Sequence, residues 1–185
     1  MSASAVVASP TTERARALVE SRSARAVEIG HEAGAIAGDP AGVARVLRAG
    51  LSELADPEYL AGQRRVAPGI GPILGVRRPL LRAVSRGLRA STRRDRSTTL
   101  LDVAERLLRE ELLELHWIAF DILERTMATD PEVSWQLVRS AARRAGDWIT
   151  VDSLAHVVGR GILAEPYRWA ELEQLVFSSS RWERC

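Results

Sequence analysis

Trp148 and Asp152 stand four residues apart in the segment Gly146-Asp147-Trp148-Ile149-Thr150-Val151-Asp152. On a helix that spacing puts both side chains on one face. An indole beside a carboxylate makes a surface with a flat apolar wall and a fixed negative charge. Such a surface suits a cationic reaction centre, because the aromatic face attracts positive charge and the carboxylate stabilises it or orients a water. Arg144 and His156 fall near the same face, one turn to either side. The same residues also read as ordinary structure, with Trp148 in the core and Asp152 a surface acid or the buried partner of an arginine.

A second chemical feature is the placement of arginine. All 26 residues counted as Lys+Arg are Arg, against 24 Asp+Glu, so the net charge is only +2. Arginine in place of lysine beside abundant alanine is what a GC-rich genome produces everywhere, so only position is informative. Residues 62–96 hold ten arginines and one acid, Asp95, whereas residues 97–134 hold nine acids and three arginines. On a helix spanning 78–91, Arg78, Arg82, Arg86 and Arg89 form one basic stripe beside the apolar face of Leu80, Leu81, Val84 and Leu88. A stripe of this kind tracks a phosphate backbone. It is equally the pattern of a solvated helix face balanced by the acidic segment that follows.

Other chemistries lack residues. His31, His116 and His156 are scattered, Cys185 is the single cysteine, and no Gly-x-Ser-x-Gly elbow exists, so metal hydrolysis and acyl transfer have no support. Gly69, Gly71 and Gly75 in the loop 66–79 do not have phosphate-loop spacing, and lysine is absent. A lone cysteine fits a reducing, cytoplasmic setting. The start MSASAVVASP has no basic n-region, and no stretch approaches the roughly 18 apolar residues of a membrane span.

The elements that must position these residues are helices. Aromatics are 5% of the chain and Ala, Leu, Arg and Glu dominate, which argues against a sheet. Asp-Pro recurs at Asp39-Pro40, Asp56-Pro57 and Asp130-Pro131, each placing a capping carboxylate before a proline at the first helical position. Apolar residues at three and four spacing predict helices over 12–29, 40–54, 57–66, 78–91, 98–110, 112–128, 131–145, 147–163 and 166–178. Connections between the later helices are short, so neighbours should run antiparallel. From Ser97 onward the units have the length of HEAT-type helix pairs, about 30 to 40 residues, without a clean sequence repeat. The expected fold is therefore all-α, an α-α superhelix of HEAT-like antiparallel pairs in one domain, with residues 1–69 as extra N-terminal helices.

Three elements together carry a family resemblance: Leu74-Gly75-Val76-Arg77-Arg78-Pro79-Leu80-Leu81-Arg82, then Trp148-Ile149-Thr150-Val151-Asp152, then Trp182-Glu183-Arg184. Over residues 70–185 the chain resembles the AlkD-like DNA alkylation repair enzymes. The resemblance implies a superhelix of HEAT-like helix pairs whose concave basic face holds duplex DNA. It also implies a DNA glycosylase that releases N3- and N7-alkylated purines, with no cofactor and no metal. An alkylated purine already carries positive charge, so it leaves readily and its departure creates an oxocarbenium-like sugar. By the resemblance Asp152 stabilises that sugar and positions water, while Trp148 packs against the deoxyribose. Arg184 is the candidate for the family's backbone-gripping arginine, and Arg77, Arg78, Arg82, Arg86, Arg89 and Arg144 are the candidate DNA contacts. The family does not need to flip the base into a pocket, unlike glycosylases in general.

The sequence departs from the family at two places. Counting from Trp182, the arginine of a Trp-x-x-Arg arrangement would fall at Cys185, with Arg184 one residue early. The family also continues for further repeats, so a chain ending at Cys185 is expected to leave its concave face incomplete and its activity impaired. The competing reading is a noncatalytic HEAT-like module gripping DNA or a protein through the arginine stripe. If the enzyme reading holds, Trp148 and Asp152 should line the same concave surface as the arginines of 78–91. A monomer in the bacterial cytosol, acting on nucleoid DNA, completes the expectation.

Overall fold

The computed structural model describes residues 10–184, so Cys185 lies outside the described residues. Helices run in the order α1 (Pro10–Ala35), α2 (Pro40–Glu53), α3 (Pro57–Val66), α4 (Arg78–Ser91), α5 (Ser97–Leu108), α6 (Leu113–Thr126), α7 (Pro131–Arg144), α8 (Trp148–Ala164) and α9 (Trp169–Glu173). Among the described residues there is no strand, and one isolated bridge joins Ala55 to Val76. Among the described residues no helix is long and apolar enough to cross a membrane.

An aspartate side chain caps the starts of α2, α3 and α8. The Asp39 carboxylate accepts the Gly42 amide at 3.0 Å, and Asp56 accepts those of Glu58 and Tyr59. Asp147 accepts both the amide and the hydroxyl of Thr150, at 2.9 and 2.8 Å. Each satisfies backbone donors that the first helical turn leaves without an intrahelical partner. Asp130 behaves differently from the other Asp-Pro pairs: its carboxylate makes no cap and instead accepts the Ser97 hydroxyl at 3.4 Å, tying α7 to α5.

Two elements differ from their predicted extents by more than a residue or two at either end. α1 continues to Ala35 because Ile29 and Ala33 are fully buried, so tertiary packing extends it beyond the periodic stretch. The segment predicted as a helix over 166–178 is a short α-helix between two 3₁₀ turns, Pro166–Arg168 and Gln174–Phe177. Its anchor is one fully buried cation. Arg168 reaches the Gly161 carbonyl at 3.4 Å and Glu132 at 3.0 Å while lying over the Trp135 ring, which ties the tight first turn to α7 and α8. Beyond it Val176 and Phe177 are exposed, so little apolar surface rewards a longer regular helix.

The helices stack in two layers. α1 packs along α4, α5 along α6 and α7 along α8, while α6 also touches α4 and α8. α4, α6 and α8 therefore form one layer, backed by α1, α2, α5 and α7, an arrangement compatible with a superhelix of helix pairs. One hydrophobic core runs through both layers from Ala26 to Val157. The N-terminal helices have a definite task in it: α1 lies against α4 on the side away from the arginine stripe.

Candidate nucleic-acid interface

On α4, Leu80, Leu81, Val84 and Leu88 are buried while Arg78, Arg82, Arg86 and Arg89 are exposed, as an amphipathic helix requires. Among the described residues none of these four arginines forms an ion pair, so their charge is available to a ligand. Arg78 lies over the Trp117 ring of α6, 5.4 Å from guanidinium carbon to centroid, which holds its head group in place. Arg82, Arg86 and Arg89 line a groove whose other wall is α6.

α8 completes the groove. Arg78 and Arg82 share a concavity of about 450 Å³ with Asp121 and Glu124 of α6 and Asp152 and His156 of α8. An adjoining concavity brings Arg77 and Arg78 together with Tyr59, Trp117, Trp148 and Asp152. Trp148 and Asp152 thus line the same surface as the start of the arginine stripe. Trp148 is 45% exposed, which separates it from a core tryptophan such as Trp135 at 2%. Its position follows from the Asp147 cap, which fixes the first turn of α8. Asp152 forms no ion pair or hydrogen bond among the described residues, so its carboxylate is uncommitted.

The remaining candidates lie elsewhere or are already engaged. Arg77 donates from Nε to the buried Asp56 at 2.7 Å and lies 5.0 Å from the Tyr59 ring centroid, so its guanidinium joins α3 to α4. Burial alone would raise the Asp56 pKa, but Arg77 and the amides of Tyr59 and Glu58 outweigh it and hold the carboxyl below its ordinary value. Arg144 is on a different surface, in a concavity with His116 and Asp147. Its four-residue spacing from Trp148 crosses the end of α7, where Ala145 is extended, so the helical face does not continue. Burial pushes the His116 pKa down despite its hydrogen bond to the Glu110 carbonyl. Arg184 donates to the carbonyls of Ser178 and Ser179, at 2.6 and 3.1 Å, and lines neither concavity that holds Asp152.

Several contributors carried no obvious sequence signal. Glu114 is fully buried, and one of its oxygens accepts the amides of Leu74, Gly75 and Val76 at 3.0, 2.9 and 3.3 Å. It pins the loop that leads directly into Arg77 and Arg78. Gly75 there has φ +79°, and a Cβ on it would stand 2.6 Å from that of Leu60, so glycine is required twice over. Asp121 faces the groove and accepts the Ser85 hydroxyl at 2.5 Å. A signal for it existed: Trp117-Ile118-Ala119-Phe120-Asp121 matches Trp148-Ile149-Thr150-Val151-Asp152 at its first, second and fifth positions. Glu124 is shared between His156 and Arg160, each at 3.5 Å, which leaves Asp121 and Asp152 as the unpaired acids of their concavity.

The described residues thus form an all-helical array with a groove of arginines outside ion pairs, an exposed indole and an uncommitted carboxylate. The chain belongs to the DNA alkylation repair enzyme family, whose sequence model matches residues 47–185. No curated protein and no solved structure matches it. Its role is accordingly in DNA alkylation repair, with DNA as the partner. The match begins in α2, so it takes in α3 as well as the residues from 70 onward that carry the resemblance.

Proposed function

We propose that this protein is a DNA glycosylase that releases cationic N3- and N7-alkylated purines from duplex DNA. The observation that carries the reading is the concavity shared by Trp148, Asp152 and Arg78. Arg78, Arg82, Arg86 and Arg89 hold phosphates along α4, and the lesion nucleotide lies against α8. There the Trp148 indole packs on the deoxyribose. The Asp152 carboxylate stabilises the sugar as the bond to the departing purine breaks and positive charge moves onto the ring. Water held near the same carboxylate adds to the sugar from the face opposite the departing base and gives up a proton, by way of that carboxylate, to solvent. The purine departs already protonated in effect by its alkyl group, so the protein supplies no general acid.

The groove is open, and it requires no deep base pocket. Arg184 does not enter this scheme from where it stands, on the carbonyls of its own segment. Single-turnover release from a duplex containing one N7-methylguanine tests the reading. Release that is lost in Asp152→Asn supports it. Salt-sensitive duplex binding without any release would instead favour the noncatalytic module.

A further inference from the structure

The two Trp-Ile-x-x-Asp segments lie one helix pair apart on neighbouring helices of the same layer, Trp117 a turn inside α6 and Trp148 at the first residue of α8. Their tryptophans differ in exposure: Trp148 is open to the groove, whereas Trp117 is 8% exposed beneath the Arg78 guanidinium. Their carboxylates remain alike. Asp121 and Asp152 line one concavity together with Arg78 and Arg82, and neither is in an ion pair. Asp121 keeps a single side-chain partner, the Ser85 hydroxyl.

A carboxylate at that place works against phosphate binding, since it subtracts from the attraction that Arg78 and Arg82 exert on the backbone. For an alkylated purine nucleotide the sign reverses, because its base is a cation. A groove holding Asp121 therefore penalises undamaged duplex relative to duplex bearing the lesion, a negative element of recognition. We propose that Asp121 is a specificity-determining residue, the second lesion-reading carboxylate of the groove, which weakens binding of undamaged DNA and favours a nucleotide with a positively charged base. The proposal rests on the alkylpurine reading above.

The surroundings of Asp121 give it a pH dependence as well. α4 presents Arg78 and Arg82 to it, with Arg86 and Arg89 further along the stripe. α6 adds Glu124 and Arg125, and α8 adds Asp152, His156 and Arg160. Asp121 is open to the groove, but desolvation by the helices around it pushes its carboxyl above its ordinary range, and Glu124 adds to this, against the Ser85 hydrogen bond and the two nearest arginines. Phosphates arriving in the groove disfavour the ionised form further. Undamaged duplex should thus bind with proton uptake at Asp121, more tightly as pH falls. His156 and Glu124 share the concavity, so the contribution of Asp121 is the difference between wild type and Asp121→Asn.

The test measures equilibrium binding of the full chain to an undamaged duplex and to the same duplex with one N7-methylguanine, from about pH 8 to about pH 5. Asp121→Asn should bind undamaged duplex up to about fivefold more tightly at the high end, with the difference narrowing as pH falls, and with a reduced preference for the lesion. Asp121→Glu should restore the preference, which a merely structural role would not do. Equal affinity of wild type for the two duplexes, or an unchanged preference in Asp121→Asn, overturns the proposal. Wild-type release of alkylpurine with unchanged preference in Asp121→Asn sinks this proposal and leaves the glycosylase reading standing. A preference lost in Asp121→Asn without any release does the reverse.

Discussion

Gly87 of α4 and Gly30 of α1 cross so closely that a Cβ on Gly87 would stand 2.0 Å from the Val27 carbonyl oxygen, and one on Gly30 2.0 Å from that of Val84. The obstructing atoms are backbone, so no side chain can rotate away. α1 thereby braces α4 from behind, on the side opposite Arg78, Arg82, Arg86 and Arg89. Gly87→Ala should force the two helices apart at a cost of about 3 kcal/mol, the upper end of ordinary overpacking. Thermal unfolding should report it as a fall of roughly 6–12 °C in Tm. An unchanged Tm would show that the crossing is looser than the structure describes.

The arginine stripe should act through phosphates. Binding of a plain duplex to wild-type protein should weaken steeply with salt and care little for sequence, since each neutralised phosphate releases counterions. Replacing Arg78, Arg82 and Arg86 together should reduce the slope of log K against log salt by up to about 3. Arg77 offers an internal contrast. Its guanidinium is committed to Asp56, so Arg77→Ala should chiefly lower stability, by leaving a buried carboxylate without its cation, with a smaller effect on the salt slope. A slope untouched by the triple replacement would remove α4 from the binding surface.

Glu114 predicts a pH effect on stability. Burial pushes its pKa up, and the three loop amides only partly oppose this. A carboxyl whose folded pKa is raised binds its proton more tightly in the native state than in the unfolded chain. Its contribution is therefore full below the ordinary glutamate value and declines as pH rises from there through the folded value. Glu114→Gln keeps an acceptor for the amides of Leu74, Gly75 and Val76 and should flatten that decline. Glu114→Ala leaves three backbone donors without their acceptor and should cost about 3 kcal/mol or more, at roughly 1–3 kcal/mol for each orphaned group. Urea unfolding of the three proteins across that range is the measurement, and parallel pH profiles for wild type and Glu114→Gln would refute the assignment.

Much of this architecture was legible from local pattern. Asp39 and Asp56 cap where Asp-Pro predicts, and the 3.6-residue periodicity of 78–91 puts the stripe on the exposed face of α4. What local pattern misses is the long-range partner. Asp130 has the same Asp-Pro signature as Asp39 yet turns to Ser97, and Arg77 belongs to the arginine run yet answers Asp56 across the chain. Glu114 falls in an acidic stretch that reads as solvated, and nothing in its neighbours announces that it accepts three amides some 40 residues earlier, as with Leu74 (a separation of 40). The helical-face argument placed Asp152 near His156 correctly because both sit within α8, and it failed for Arg144 because the helix ends between them.

Asp152→Asn separates chemistry from binding. Asparagine keeps the size of aspartate and removes its charge, and that charge matters most when the sugar becomes cationic. The main loss should therefore appear in the chemical step, beside a change in affinity no larger than that of Asp121→Asn. Removing one preorganised electrostatic contact to a transition state costs on the order of 10²–10³ in rate. Nothing in the fold compensates or collapses on this substitution, because Asp152 carries no ion pair or hydrogen bond among the described residues, so the melting temperature should stay near that of wild type. Trp148→Ala removes the wall against which the sugar is held and should lower both rate and affinity. With its indole 45% exposed, its effect on stability should be small beside that of Trp135→Ala, whose ring is buried and whose Nε1 donates to Glu171 at 3.1 Å. Single-turnover base release, duplex affinity and melting temperature measured on the same preparations give three independent readouts. Equal release by wild type and Asp152→Asn would place the reacting sugar somewhere other than the face of α8.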